Sequence, residues 1–172
     1  MVQKILNNIW RFSFKRFGSY AYLLKLKGKN ILIDASSPIN TKELVKELKK
    51  LELNPADISI IILTHHHWDH SGGILPFTNA KIYGNKKDFG ENVIDIKKLK
   101  IPELQFIETP GHSKGSICIL YKGILFSGDT LFHRGTIGRT DLPGSSEKEM
   151  EKSLKKIKKL KYRVLCPGHG FE

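Results

Sequence analysis

Cysteine is scarce. The chain has two, Cys118 and Cys166, in 172 residues, which excludes a disulfide framework and leaves no CxxC pair for a metal or redox site. A reducing cytoplasm is the compartment this implies. Long hydrophobic runs are also missing: no stretch approaches the roughly 20 apolar residues that cross a bilayer, so no membrane role is expected. The opening segment MVQKILNNIWRFSFKRF breaks its apolar stretches with charge and lacks a small-residue cleavage site, which reads against a signal peptide. There is no repeat, no low-complexity tract and no linker long enough to divide domains. A single domain over residues 1–172 is the expectation. Acidic residues are few, 17 against 29 Lys and Arg, for a net charge of +12. That balance favours acidic partners. The lysines are spread out, however, and their one concentration, EKEMEKSLKKIKKLKYR, sets Met150, Leu154, Ile157 and Leu160 at helical spacing. Its lysines are then the wet face of a helix, and no nucleic-acid partner is expected.

Hydrophobic residues make up 40% of the chain, the content of an ordinary globular protein. SYAYLLKLKG and KNILIDAS flank a turn at Gly28–Lys29–Asn30 and read as a hairpin. INTKELVKELKKLEL follows as a helix with Thr41 at its N-cap. DISIIILT is a short β-branched run, a strand buried on both faces. AKIYG, LQFIETPGH, GSICILYKG and GILFSGD are further strands, the last two joined around Lys122–Gly123, and RVLC is a final one after the Lys-rich helix. Hairpins mixed with strand–helix–strand units predict stacked sheets with outer helices. FHRGTIGRTDLPGSS is the one extended polar, Gly-rich loop, and such loops are often functional.

Polar residues gather where these strands end. ISIIIL leads into Thr64, His65, His67, Asp69 and His70; LQFIETP leads to His112, GILFSG to Asp129 and RVLCPG to His169. Histidine and aspartate are the side chains that bind zinc and related metals. Gly111, Gly128 and Gly168 let the backbone turn so that the next side chain faces a common mouth. In an extended segment His65, His67 and Asp69 share a face, and His70 joins them if the chain turns there, with a helix starting at Ser71–Gly72–Gly73. Seven ligands are too many for one zinc-like ion, whereas two ions about 3.5–4 Å apart use them all. Asp129 is the natural bridge, because a carboxylate has two ligand oxygens and an imidazole one available nitrogen. Asp34 is open between supporting a metal-bound histidine and capping a turn. His66 is expected to face away, and the two cysteines to be small buried hydrophobes.

THHHWDHSGG, TPGHSKGS, SGDTLF and PGHG, in that order, resemble the signature of the metallo-β-lactamase superfamily, most nearly its glyoxalase II-like (hydroxyacylglutathione hydrolase) branch. The resemblance implies the α/β class: an αββα sandwich of two mixed β-sheets with outer helices. It implies that His65, His67 and His112 hold a first metal, that Asp69, His70 and His169 hold a second, and that Asp129 bridges. The cofactors are then two divalent ions, zinc foremost, with iron or manganese fitting the same donors. Glyoxalase II enzymes carry a C-terminal helical extension that helps bind glutathione, and this sequence ends two residues after PGHG, so the extension is expected to be lacking. Arg139, in GRTDLPG, lies about where glutathione-using relatives place a basic substrate-binding residue; a salt bridge to Asp141 is the competing role.

The implied activity is metal-dependent hydrolysis of a small-molecule hydroxyacyl thioester, with Asp69 as the catalytic residue that orients the nucleophile. A second copy of the chain could complete the substrate pocket. Two rival readings share the ligands: an iron persulfide dioxygenase using His65, His112 and Asp129, and an RNase Z-like phosphodiesterase, for which no RNA-holding insertion is evident.

Overall fold

The computed structural model describes residues 1–170. The described residues pack as two compact units, one of Met1–Leu63 with His67–Tyr83, the other of Thr64–His66 with residues 84–170.

The first unit is built on a sheet of strands β1 (Val2–Leu6), β2 (Ile9–Phe12), β3 (Ala21–Leu26), β4 (Lys29–Ile33), β5 (Ile58–Ile62) and β6 (Lys81–Gly84), neighbours in that order. β1 to β4 run antiparallel, while β4, β5 and β6 are parallel. The sheet is therefore mixed. The β1–β2 hairpin over the opening segment is not foreseen in the sequence. The β3–β4 turn is Lys27–Gly28, earlier than expected: Leu26 pairs with Lys29, and the two turn residues take φ of 50° and 73°, the left-handed pair that suits a two-residue hairpin. Parallel pairing of β4 and β5 needs a crossover, supplied by α1 (Thr41–Lys49), which buries Leu44 and Leu48. Asn40, not Thr41, precedes this helix. The chain enters it already turning through Pro38–Asn40, and the Thr41 hydroxyl donates to the Pro38 carbonyl at 2.8 Å. A second short helix, α2 (Trp68–Ser71), follows β5.

Glu47 ties α1 to the first strand. It is buried, accepts the Val2 amide at 2.7 Å and accepts Lys50 Nζ at 2.6 Å. Burial by itself raises its pKa, but the Lys50 and Val2 hydrogen bonds outweigh that and hold the carboxyl below its ordinary value. Glu47→Ala is expected to cost about 2 kcal/mol of stability, since it leaves a half-buried amide unpaired. A carboxyl held low in the folded state stabilises above its unfolded pKa and loses that contribution as the pH falls through the folded value. Urea denaturation should therefore separate variant from parent most clearly at about pH 7 and by less as the pH falls below the ordinary carboxylate range.

The second unit holds α3 (Lys86–Phe89), the short β7 (Ile94–Asp95), β8 (Leu104–Glu108), β9 (Ile117–Tyr121), β10 (Ile124–Gly128), α4 (Glu147–Ile157) and β11 (Val164–Pro167). Its sheet runs β8–β9–β10–β11, antiparallel except for the parallel β10–β11 pair that α4 connects. The Lys-rich stretch is helical as expected, capped by Ser146, whose hydroxyl accepts the Glu149 amide at 3.3 Å. Met150, Ser153 and Ile157 are its buried face; Leu160 packs from beyond the helix end. Cys118, Leu125 and Ile157 form the core there, with Ile107, Leu131 and Leu165 against them. Burial pushes the Cys118 thiol up to about 11, against the opposing hydrogen bonds of Thr109 and Thr130. Both cysteines are buried thiols outside any disulfide, the small-hydrophobe role expected of them. Two mixed sheets with helices make this the α/β class that the sequence implies. Among the described residues no helix is long and apolar enough to cross a membrane.

Candidate metal centre

Four of the seven expected ligands lie in the second unit. The Thr64 carbonyl accepts the Ile117 amide at 2.9 Å, anchoring the residues after β5 beside β9. Thr64 Oγ1 is 3.1 Å from Nδ1 of the buried His65. His112 follows β8, and its Nδ1 donates to the Arg139 carbonyl at 2.8 Å. The His65 and His112 rings stand edge to face, 4.9 Å between centroids, with ligand atoms within 4.8 Å of one another. Asp129 follows β10 and His169 follows β11. Asp129 Oδ2 is 3.5 Å from His112 Nε2 and 3.5 Å from His169 Nε2.

Gly111 and Gly128 adopt φ of 147° and 49°, the backbone expected of them before His112 and Asp129; Gly168 does not share that conformation. A side chain on Gly128 would also meet Thr64 Oγ1 at 2.7 Å.

The other three ligands lie in the first unit. His67 is the N-cap of α2, with Asp69 and His70 buried within the helix. The helix thus begins at Trp68, earlier than the Ser71–Gly73 start expected, and Asp69 is not in an extended run. The His67 carbonyl accepts both the His70 amide at 2.9 Å and the Ser71 amide at 3.0 Å, closing the turn that brings His70 round. Asp34 resolves to histidine support: its Oδ2 is 2.8 Å from His70 Nδ1. Because a carboxylate only accepts, Nδ1 carries the proton and Nε2 is left available to bind a metal. That Nε2 is 4.0 Å from Asp69 Oδ2. Backbone bonds hold α2 from both sides, the Ser19 amide to the Asp69 carbonyl at 2.9 Å and the Ala35 amide to the His70 carbonyl at 2.8 Å.

These distances fit a metal. Ligand atoms about 2.0–2.2 Å from a tetrahedral ion stand roughly 3.3–3.6 Å from each other. The 3.5 Å separations about Asp129 Oδ2 have that spacing and exceed the usual N–H···O length of about 2.9–3.0 Å. Nδ1 of His65, His70 and His112 each faces a protein oxygen, the outer arrangement that fixes ring orientation at metal sites.

Arg139 makes the competing contact. Its Nε donates to Asp141 Oδ1 at 2.9 Å and a terminal nitrogen donates to Oδ2 at 2.8 Å. Both side chains are exposed, and the guanidinium holds the Asp141 carboxyl down at about 2. The Arg139 carbonyl, which orients His112, is a part the sequence does not announce. Neither is Gly138, whose amide donates to the Asp129 carbonyl at 3.0 Å. His66 is exposed, as expected, and His133 lies exposed on the polar loop.

The family model of the metallo-β-lactamase superfamily matches residues 15–87 and 83–169. "Probable metallo-hydrolase MJ0296" of Methanocaldococcus jannaschii is 38% identical over 145 residues, covering 82% of this chain and 71% of that protein. "Hydroxyacylglutathione hydrolase 1" of Vibrio vulnificus is 36% identical over 152 residues, covering 83% of this chain and 58% of its own length. A crystal structure described as TTHA1623 in a di-iron-bound form superposes with a TM-score of 0.80 at 26% identity, covering 94% of this chain and 92% of that one. With the expected ligands following β5, β8, β10 and β11 and a family match over nearly the whole length, the chain belongs to the metallo-β-lactamase superfamily.

Proposed function

We propose that the two ligand sets make one dinuclear centre and that it hydrolyses a hydroxyacyl thioester. The observation that carries this is the pair of histidine Nε2 atoms, each 3.5 Å from the same Asp129 oxygen, which places this carboxylate between a histidine of each proposed ligand set. Chain continuity supports joining the sets: His65 and His67 are two residues apart, which keeps their Cα atoms within about 7 Å. His65, His67 and His112 then hold one ion, Asp69, His70 and His169 the other, and Asp129 both. Zinc suits these nitrogen and oxygen donors; iron suits them too, and the likeness to a di-iron protein supports it.

A pair of divalent ions supplies Lewis acidity and makes water acidic enough to yield its proton near neutral pH. Asp69, besides holding an ion, would accept a hydrogen bond from the nucleophile and aim it at the thioester carbonyl. The C–S bond breaks and the thiolate leaves without a strong general acid. Arg139 receives an anionic group of the thiol carrier, its guanidinium already oriented by its two hydrogen bonds to Asp141. The thioester class rests on the likeness to a hydroxyacylglutathione hydrolase, of which this chain spans 58%. The test is release of free thiol from lactoylglutathione by protein loaded separately with zinc, iron or manganese. Metal-dependent release that Asp69→Ala abolishes is the expected result. No release with two ions bound contradicts the thioester reading; oxygen uptake with a persulfide instead would replace it with the dioxygenase.

A further inference from the structure

Asp88 does not stand out in the sequence, where it sits in the lysine-rich segment NKKDFG. In the structure its side chain is 2% exposed, and each of its oxygens is committed. Oδ2 accepts the His66 amide at 3.2 Å and the Ser113 hydroxyl at 2.6 Å, and lies 3.3 Å from His66 Nδ1. Oδ1 accepts the Gly115 amide at 2.5 Å. These donors come from two separate loops, one directly after His65 and the other directly after His112. The fit is close: a side chain on Gly115 would fall 2.7 Å from Asp88 Cγ. Asn85 fixes the carboxylate's own position, accepting the Lys87 amide on its side chain at 3.1 Å and the Asp88 amide on its carbonyl at 3.0 Å. On the far loop, Ser113 passes the constraint on through the Ser116 hydroxyl at 2.6 Å.

We infer that Asp88 is a positioning residue for the His65–His112 pair, clamping the two loops so that their ligand atoms stay at metal-binding separation. This rests on the proposal that both histidines hold an ion. A buried carboxylate suits the task because it only accepts hydrogen bonds and has two oxygens to share among several donors. Asparagine has the same shape but replaces one acceptor by a donor, which would face either Gly115 N–H or the His66 and Ser113 donors. Asp88→Asn therefore opens one side of the clamp while keeping the packing.

The experiment has two readouts. In chelator-competition titrations with zinc, Asp88→Asn should weaken the ion on His65 and His112 by about 10- to 100-fold, the usual effect of losing an outer partner. The other ion should bind as in the parent. In metal-free protein, the Asp88→Asn change should shift the imidazole NMR resonances of His65 and His112 together and speed exchange of the Gly115 amide, leaving His70 unmoved. Equal weakening of both ions, or no weakening, overturns the assignment, as does an unchanged His65–His112 pair in the metal-free spectra. If the parent itself binds fewer than two ions, the dinuclear reading fails, and the metal-free spectra alone decide for or against the clamp. Should Asp88→Asn fold poorly, Ser113→Ala removes one strap, and the same resonances should move to a smaller extent.

Discussion

Asp129→Ala is expected to bind no more than one ion and to lose thioester hydrolysis by at least about 10³-fold, or roughly 4 kcal/mol of transition-state stabilisation. Two dications about 3.5–4 Å apart need an anion between them, and in the proposed centre Asp129 is the side chain placed to be that anion. Its Oδ2 stands 3.5 Å from Nε2 of both His112 and His169, so removing it leaves two imidazoles without the carboxylate they converge on. Metal analysis of dialysed protein and thiol release measured together check the result. A variant that keeps two ions and most of its rate would remove Asp129 from the bridge.

Gly138→Ala should be nearly as damaging, although it changes no ligand. A Cβ there would lie 2.1 Å from the Asp129 carbonyl oxygen and 2.9 Å from His112 Nδ1, far inside van der Waals contact. The obstacle on the first side is backbone, which cannot rotate away as a flexible side chain would. Relief requires the loop to withdraw, and withdrawal strains two bonds at once: the Gly138 amide to the Asp129 carbonyl, and His112 Nδ1 to the Arg139 carbonyl. A misplacement of about 1 Å at reacting groups can cost on the order of 10²-fold in rate, and that loss is expected in thiol release. Weaker retention of metal should accompany it. The circular dichroism spectrum should match the parent, because the sheets and helices are untouched.

The candidate ligands were legible because strand and site announce themselves together. An apolar run such as ISIII leading to His65, or ILFSG leading to Asp129, marks both a buried strand and what its end presents. α4 was legible from periodicity, and its lysines from the exposure that periodicity implies. The β1–β2 hairpin was not, because much of VQKIL is exposed and its alternation is weak. α2 was misplaced because the HxHxDH spacing fits an extended face as well as a helix N-terminus. The supports divide the same way. Asp34 could be suspected from its place after β4, but the choice between cap and histidine partner depends on where His70 lands in space. The Arg139 carbonyl is invisible in principle, since every residue type carries one. Asp88 acts across 22 and 25 residues of sequence, a separation at which no local pattern reports contact.

Whether the protein holds two metal ions is decided by counting them. Metal-free protein should be equilibrated with zinc, dialysed and measured by mass spectrometry against protein concentration, alongside Asp129→Ala. Two ions per chain are expected in the parent and at most one in the variant. A single tightly held ion in the parent, unchanged by Asp129→Ala, would contradict the two-metal centre.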